Sequence, residues 1–113
     1  MINQGDIAWL DLDPQSGHEQ KGRRPVMVVS NEDFHILTSG KLAMVCPITN
    51  TGRANLLHVE LDKQTCTTGY IMCEQAKVLD ITTRNYVFIE VAPAAILAKV
   101  LNRVQAISLP STE

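Results

Sequence analysis

Short apolar runs separated by turn residues occupy most of this 113-residue chain, and only one stretch near its end has the spacing of a long helix. A parallel sheet needs a crossover helix between successive strands, and the chain has room for at most one. The pattern therefore predicts a mainly β fold, in which a small, strongly bent, barrel-like sheet is closed by a C-terminal amphipathic helix. We expect a single domain over residues 1–113.

The apolar runs and the turn residues that bound them predict six strands. These strands cover residues 7–12, 25–30, 41–48, 58–61, 70–75 and 85–91. A short helix over residues 31–37, capped by Ser30 or Asn31, follows the second strand. In the terminal helix after Pro93, six apolar residues recur at helical spacing and form one stripe: Ile96, Leu97, Val100, Leu101, Val104 and Ile107.

The composition indicates an ordinary soluble globule, since 45% of the residues are hydrophobic and 19% are charged. A net charge of −2 argues against a general nucleic-acid coat protein, although it leaves room for a local basic site. We find neither an apolar stretch of the ~18 residues that a membrane helix needs nor a secretion signal. Cys46 and Cys73 lie inside apolar runs, and the cysteines lack the spacing of a metal site, so we expect reduced core thiols in a cytoplasmic protein.

A polar loop between the first two strands is bracketed by glycines and carries His18, Glu19, Gln20, Lys21 and Arg23. Pro25 then biases Arg24 toward an extended conformation at the mouth of the second strand. A guanidinium fixed there suits a phosphate, because its planar fork can hold two oxygens at once. The alternative is a solvated turn, which is what most charged loops are.

Several sequence blocks resemble the MazF/PemK-type toxins, in the order of that family and over most of the chain. They are Gly5-Asp6-Ile7, Leu12-Asp13-Pro14, Gly17-His18-Glu19-Gln20, Arg24-Pro25-Val26, Pro47-Ile48-Thr49, and Thr68-Gly69 followed by Cys73-Glu74-Gln75. The block with histidine is most similar to the PemK branch. The resemblance implies an SH3-like barrel, a homodimer, and the toxin of a toxin–antitoxin pair. It also implies an endoribonuclease that needs no metal or other cofactor and cuts single-stranded RNA, often messenger RNA, at a short sequence.

The resemblance assigns roles to four residues. Cleavage of RNA without a metal uses the ribose 2′-OH as nucleophile and leaves a cyclic phosphate and a 5′-OH, so it needs a base, an acid and charge for the transition state. Arg24 would hold the transition-state charge and could also donate a proton as the acid. Thr49 would hydrogen-bond the phosphate, His18 would steady the phosphate or move a proton, and Glu74 would be the base. From the residues alone, Thr49 could equally be a turn former, His18 a solvated loop residue, and Glu74 an edge-strand carboxylate facing water.

Further polar residues are candidates for RNA binding. Amide and acid groups that could read exposed bases are Glu19, Gln20, Asn50 and Gln75, and candidate backbone contacts are Lys21, Arg23 and Arg53. We expect His58 to be structural and Trp9 to lie in the core. With aromatic residues at 4%, recognition should then rest on hydrogen bonds and charge.

One residue departs from the PemK pattern. Members of that branch can carry an arginine just before the cysteine of the last block, where this chain has Met72. Two alternatives therefore stay open at this point: a non-catalytic SH3-like binding toxin, for example one directed at a topoisomerase, and a degenerate toxin that only binds its antitoxin. The family's antitoxin would cover the RNA channel with an extended acidic C-terminal segment.

Overall fold

The computed structural model describes residues 2–12, 22–53 and 55–112. These residues form seven strands, two α-helices and two short 3₁₀ turns. The strands are β1 (Asp6–Leu12), β2 (Gly22–Val28), β3 (Leu42–Thr49), β4 (His58–Glu60), β5 (Tyr70–Met72), β6 (Lys77–Asp80) and β7 (Val87–Val91). The helices are α1 (Glu32–Leu37) and α2 (Ala94–Ser108), and the 3₁₀ turns span Cys73–Gln75 and Ile81–Thr83.

The strands form one antiparallel sheet in the order β4-β5-β3-β2-β1-β7, and β6 also pairs with β3. The edge of β3 that faces away from β2 is shared, because β6 covers its first half and β5 covers its end. The sheet stays open but is barrel-like. The predicted mainly β, SH3-like architecture, with a short helix after the second strand and a long helix at the C-terminus, is confirmed.

Two hydrophobic clusters, one on each face of the central strands, explain the continuous apolar runs of β2 and β3. Met27 and Cys46 belong to the cluster that α2 covers, whereas Val26 and Val45 belong to the cluster on the opposite face. Alternation along a strand sends successive side chains to opposite faces, so a strand covered on both sides must be apolar at every position. The predicted burial of the second strand on both faces is confirmed for its C-terminal part.

Both helices begin as their sequences indicate. Asn31, rather than Ser30, caps α1, because its side-chain oxygen accepts a hydrogen bond from the Phe34 amide at 3.0 Å. In α2, Ile96 and Val100 are buried against the sheet. The last member of the predicted stripe, Ile107, is 56% exposed, because the final turn of α2 extends beyond the apolar cluster. Within the described residues, neither helix is long and apolar enough to cross a membrane.

Four expectations about strands need correction. The second strand, expected over residues 25–30, spans Gly22–Val28, because the chain already pairs with β1 before Pro25. Residues 77–80 form β6, which the sequence pattern does not distinguish from a loop because the segment is short and has charged ends. The strand expected over residues 70–75 ends at Met72, where the chain turns into the Cys73–Gln75 3₁₀ turn. The last strand begins at Val87, since Asn85 has a positive φ of 54° that interrupts an extended backbone.

The expectation that Trp9 lies in the core is wrong, because the residue is 40% exposed. Trp9 occupies the next position beyond Ile7 on the same face of β1. At that point the neighbours are Pro25, Ile89 and residues 66–68 instead of helix α2. The indole therefore lines an open groove.

Candidate active site

Arg24 and Thr49 lie on neighbouring strands at one end of the sheet. The register of β2 and β3 pairs Val26 with Pro47, and Arg24 and Thr49 each lie two residues beyond this pair, toward the same end of the sheet. Both residues also share a face with that pair, because each is two positions from it. Arg24 is half-buried and Thr49 is 3% exposed, so strand structure holds both side chains.

The hydroxyl of Thr49 is fixed by the turn that follows β3. The Thr51 amide donates to Thr49 Oγ1 at 3.2 Å, and the two hydroxyl oxygens lie 3.0 Å apart. The Thr68-Gly69 turn packs on the same strand end, where a Cβ on Gly69 would lie 2.5 Å from the Thr49 carbonyl oxygen. Gly69 also has a φ of +120°, so this close approach requires glycine.

Glu74 is held by a residue that the sequence did not single out for chemistry. Its Oε2 lies 3.0 Å from Nε2 of His58, and the two side chains are 33% and 12% exposed. His58 sits on β4 directly opposite Met72 in the register with β5. The alternation of His58, Val59 and Glu60 already placed His58 on the polar side of its strand, and that signal could have marked it as a candidate.

The end of β3 connects the two parts of the site. A Cβ built on Gly52 would lie 3.2 Å from Thr49 Cγ2 and 3.6 Å from His58 Nδ1, so Thr49 and His58 flank the same backbone segment. Arg24, Thr49, His58 and Glu74 therefore surround one end of the central strands.

The residues predicted to bind RNA lie partly near this end of the sheet and partly outside the described residues. Asn50 accepts a hydrogen bond from the Thr68 hydroxyl at 2.9 Å, Arg53 is exposed, and Gln75 is half-buried in the same 3₁₀ turn as Glu74. The predictions for His18, Glu19, Gln20 and Lys21 lie outside the described residues.

Arg23 faces away from Arg24, as adjacent residues of a strand do. Its guanidinium lies 3.0 Å from Asp11 Oδ1 and also donates to the Asn85 carbonyl at 3.0 Å. Hydrogen bonds from Asn85 and Arg23 lower the pKa of the Asp11 carboxyl below its ordinary value. This cluster joins the loop end of strands β1 and β2 to the turn before β7.

Two open cavities meet at the end of β3. The larger, of about 850 Å³, runs along the free edge of β4, and the smaller, of about 290 Å³, is the groove that contains Trp9. Asn50 and Thr68 line both cavities, so the two cavities adjoin at these residues. The larger cavity is lined by cations as well as carboxylates, and the cations are Lys63, Lys99 and Arg103. The cations of this lining suit a polyanion.

Several known proteins are similar to this chain in both sequence and fold. A family model described as PemK-like, MazF-like toxin of type II toxin–antitoxin system matches residues 3–108. Endoribonuclease PemK of Escherichia coli is 36% identical over 110 residues, which are 94% of this chain and 81% of that protein. The crystal structure of MazF (Form-I) from Deinococcus radiodurans superposes with a TM-score of 0.84 at 30% identity, over 94% of each chain. A MazE–MazF structure (Form-II) from the same organism gives 0.78 at 30% identity, again over 94% of each chain.

Proposed function

The chain belongs to the PemK-like, MazF-like toxin family of type II toxin–antitoxin systems, and on this premise we propose that it is an endoribonuclease toxin that cuts single-stranded RNA. The observation that supports the proposal most is that Arg24 and Thr49 each lie two residues beyond the Val26–Pro47 pair, on one face of neighbouring strands. Two rigidly held donors on one face suit the oxygens of a single phosphate group.

Our proposed reaction needs no metal ion. The 2′-oxygen of the ribose loses its proton to Glu74 and bonds to the adjacent phosphorus, while the bond from phosphorus to the 5′-oxygen breaks. The 5′-oxygen takes a proton from Arg24, which regains one from solvent, and the products are a 2′,3′-cyclic phosphate and a 5′-OH. Arg24 neutralises the charge that builds on the non-bridging oxygens, and the Thr49 hydroxyl donates a hydrogen bond to one of them. Glu74 suits the role of base because one third of its side chain is exposed to solvent.

The larger cavity is the proposed RNA track. Asn50 and Gln75, with Glu19 and Gln20 of the β1–β2 loop, are proposed to read bases, and Arg53, Lys21 and Arg23 to contact the backbone. The exposed indole of Trp9 adds a flat apolar surface on which a base could stack, which sequence composition alone argued against. Recognition would then combine hydrogen bonds, charge and one stacking contact.

We also propose that the chain acts as a homodimer and is inhibited by an antitoxin with an acidic C-terminal segment. The solved MazE–MazF structures support an antitoxin partner. The cations Lys63, Lys99 and Arg103 beside the larger cavity would attract acidic residues as they would attract phosphates. Size-exclusion chromatography with and without such a peptide tests both parts.

Incubation of the purified protein with a long mixed-sequence RNA and a chelator tests the reaction. We expect fragments that end in a cyclic phosphate and begin with a 5′-OH, with cuts concentrated at one short sequence. Arg24→Ala should leave the RNA intact under the same conditions. Intact RNA with the parent protein would favour a non-catalytic toxin, whether directed at a topoisomerase or competent only for antitoxin binding.

A further inference from the structure

The imidazole of His58 lies between two hydrogen-bond acceptors. Its Nε2 is 3.0 Å from Glu74 Oε2, and its Nδ1 is 3.0 Å from the carbonyl oxygen of Arg53. The Asn55 amide nitrogen lies farther from Nδ1, at 3.4 Å. A carbonyl and a carboxylate only accept, so both contacts are hydrogen bonds when the ring carries two protons. The geometry therefore favours an imidazolium paired with a carboxylate.

The side chains of His58 and Glu74 differ in their exposure to solvent, which indicates different roles. The His58 side chain is 12% exposed and both of its ring nitrogens are occupied, whereas the Glu74 side chain is 33% exposed. Glu74 is thus the more accessible of the two groups, although His58 also borders the larger cavity. With both ring nitrogens occupied, His58 is suited to orient Glu74 instead of binding RNA through its own nitrogens.

The position of His58 also bears on the departure at Met72. His58 and Met72 are direct partners in the β4–β5 register, and Glu74 follows Met72 by two residues. Directly opposed residues of an antiparallel pair lie on the same face with Cβ atoms about 4.5–5.5 Å apart, so an arginine at position 72 would approach Glu74 beside His58. His58 would therefore supply from the opposite strand the positive charge that Met72 cannot provide.

We propose that His58 is a positioning residue for Glu74, acting as a fixed cation that holds the carboxylate ready to accept the 2′-OH proton. This inference rests on the proposed ribonuclease function. It adds a residue that the family pattern in this sequence did not indicate.

Other ionisable groups line the cavity beside the pair. They are Glu60 on β4, Asp62 and Lys63 in the following loop, Tyr70 on β5, and Lys99 and Arg103 on α2. Their charges stay the same when only His58 or Met72 is changed. Comparison of variants therefore isolates the effect of the pair.

The first test measures cleavage by His58→Ala across pH. We expect kcat to fall about 10- to 100-fold, the usual cost of losing a partner that orients a reactive group, with little change in KM. The acid limb of the pH–rate profile should move to higher pH, because removal of a neighbouring cation favours the protonated carboxyl. A kcat within twofold of the parent, with an unmoved acid limb, would overturn the proposal.

A rescue experiment separates charge from packing. In the His58→Ala background, Met72→Arg should restore several-fold of the lost kcat, since a guanidinium can reach Glu74 from the opposed position. Met72→Leu in the same background is the matched control, because it keeps an apolar side chain of similar volume and should restore nothing. Equal rates for the two double variants would contradict the assigned role.

The pair can also be tested without RNA. The ring-nitrogen NMR signals of His58, assigned with His58→Ala, should differ between the parent protein and Glu74→Gln at the same pH, because the variant replaces the carboxylate partner with a neutral amide. Inactive parent protein with this NMR result would reject the ribonuclease function and keep the pair, whereas identical ring-nitrogen signals of His58 in the two proteins would reject the pair itself.

Discussion

Two arginines that are neighbours in sequence have different environments in the fold. Arg24 shares a face with Thr49, whereas Arg23 is paired with Asp11 and Asn85 on the other side of β2. Strand alternation alone produces this separation. The pair therefore provides a site variant and a control that have the same charge and adjacent backbone positions.

We predict that Arg24→Ala lowers kcat for RNA cleavage by about 10²–10³-fold, as loss of a transition-state charge donor typically does. Arg24→Lys should also be poor, because a point charge replaces a two-pronged donor. The measurement is single-turnover cleavage of an RNA that contains the preferred site, with the melting temperature as the check on folding.

Arg23→Ala is the matched control for this prediction. Loss of the Arg23 guanidinium should weaken RNA binding and reduce the salt dependence of KM, with kcat nearly unchanged. If the two alanine variants lower kcat equally, the special role of Arg24 would be contradicted.

The sequence indicated the Arg24 and Thr49 positions, but it missed the partner of Glu74. Local patterns place a residue on a strand and on a face of that strand. They do not show that β4 and β5 pair with His58 opposite Met72, because register is set by contacts between segments distant in the chain. Trp9 was misplaced for a related reason, since the extent of the surface that α2 covers is a property of the assembled sheet.

At the scale of elements, Glu90 joins β7 to the loop before β5. Its carboxylate accepts hydrogen bonds from the Cys66 amide at 3.0 Å, the Thr67 amide at 2.7 Å and the Thr67 hydroxyl at 2.8 Å. Burial raises the pKa of this carboxyl, but the three hydrogen bonds outweigh it and leave the pKa below the ordinary value of 4.5. The ionised form thus stabilises the fold.

We predict that the melting temperature of Glu90→Gln lies below that of the parent at neutral pH. Because the folded-state pKa is depressed, this stabilisation is fully present above pH 4.5 and is lost as the pH falls through the lowered folded-state value. The difference in melting temperature should therefore shrink below pH 4.5. A difference that stays constant down to pH 3 would argue that the hydrogen bonds do not depend on ionisation.

Helix α2 is predicted to be essential to the fold through its buried face. Ile96→Ala should lower the free energy of unfolding by about 2–5 kcal/mol, the range for emptying a buried aliphatic site. Ile107→Ala on the same helix is the control and should stay within about 0.5 kcal/mol, because Ile107 is 56% exposed. Urea denaturation of the two variants provides the comparison, and equal losses would contradict the packing described for α2.

Truncation of the chain before Ile96, which removes most of α2, should destabilise the protein more than Ile96→Ala does. The truncated chain should be unfolded or aggregate, since the apolar surface beneath the helix would be exposed. A soluble truncated chain that unfolds cooperatively would contradict this expectation. The sequence anticipated α2 well because its stripe repeats over several turns. It did not reveal β6, whose four residues carry no comparable periodicity.

For the whole molecule, the three free cysteines report on the integrity of the fold. Cys46 and Cys73 are buried and Cys66 is exposed. Burial raises the pKa of the Cys46 thiol strongly and that of the Cys73 thiol to about 11, so neither forms thiolate readily near neutral pH. The earlier expectation of two core thiols is confirmed.

We predict that a thiol reagent at neutral pH modifies one cysteine rapidly in the native protein and all three in denaturant. Cys66→Ala should abolish the rapid phase while leaving the melting temperature nearly unchanged. The measurement is the number of modified thiols over time, determined by mass spectrometry. Rapid modification of Cys46 in the native protein would show that the sheet opens far more often than its packing suggests.

β3 is bordered by three other strands, with β2 on one edge and β5 and β6 on the other. If any one of these neighbouring strands separates from β3, the other two described ladders still hold β3 by hydrogen bonds. Its amide protons should consequently be among the last to exchange with deuterium, at rates set by global unfolding. The backbone of Thr49, at the end of such a strand, should therefore move less than the loops beside it, so those loops could adjust to a bound RNA while the proposed phosphate contact keeps its position.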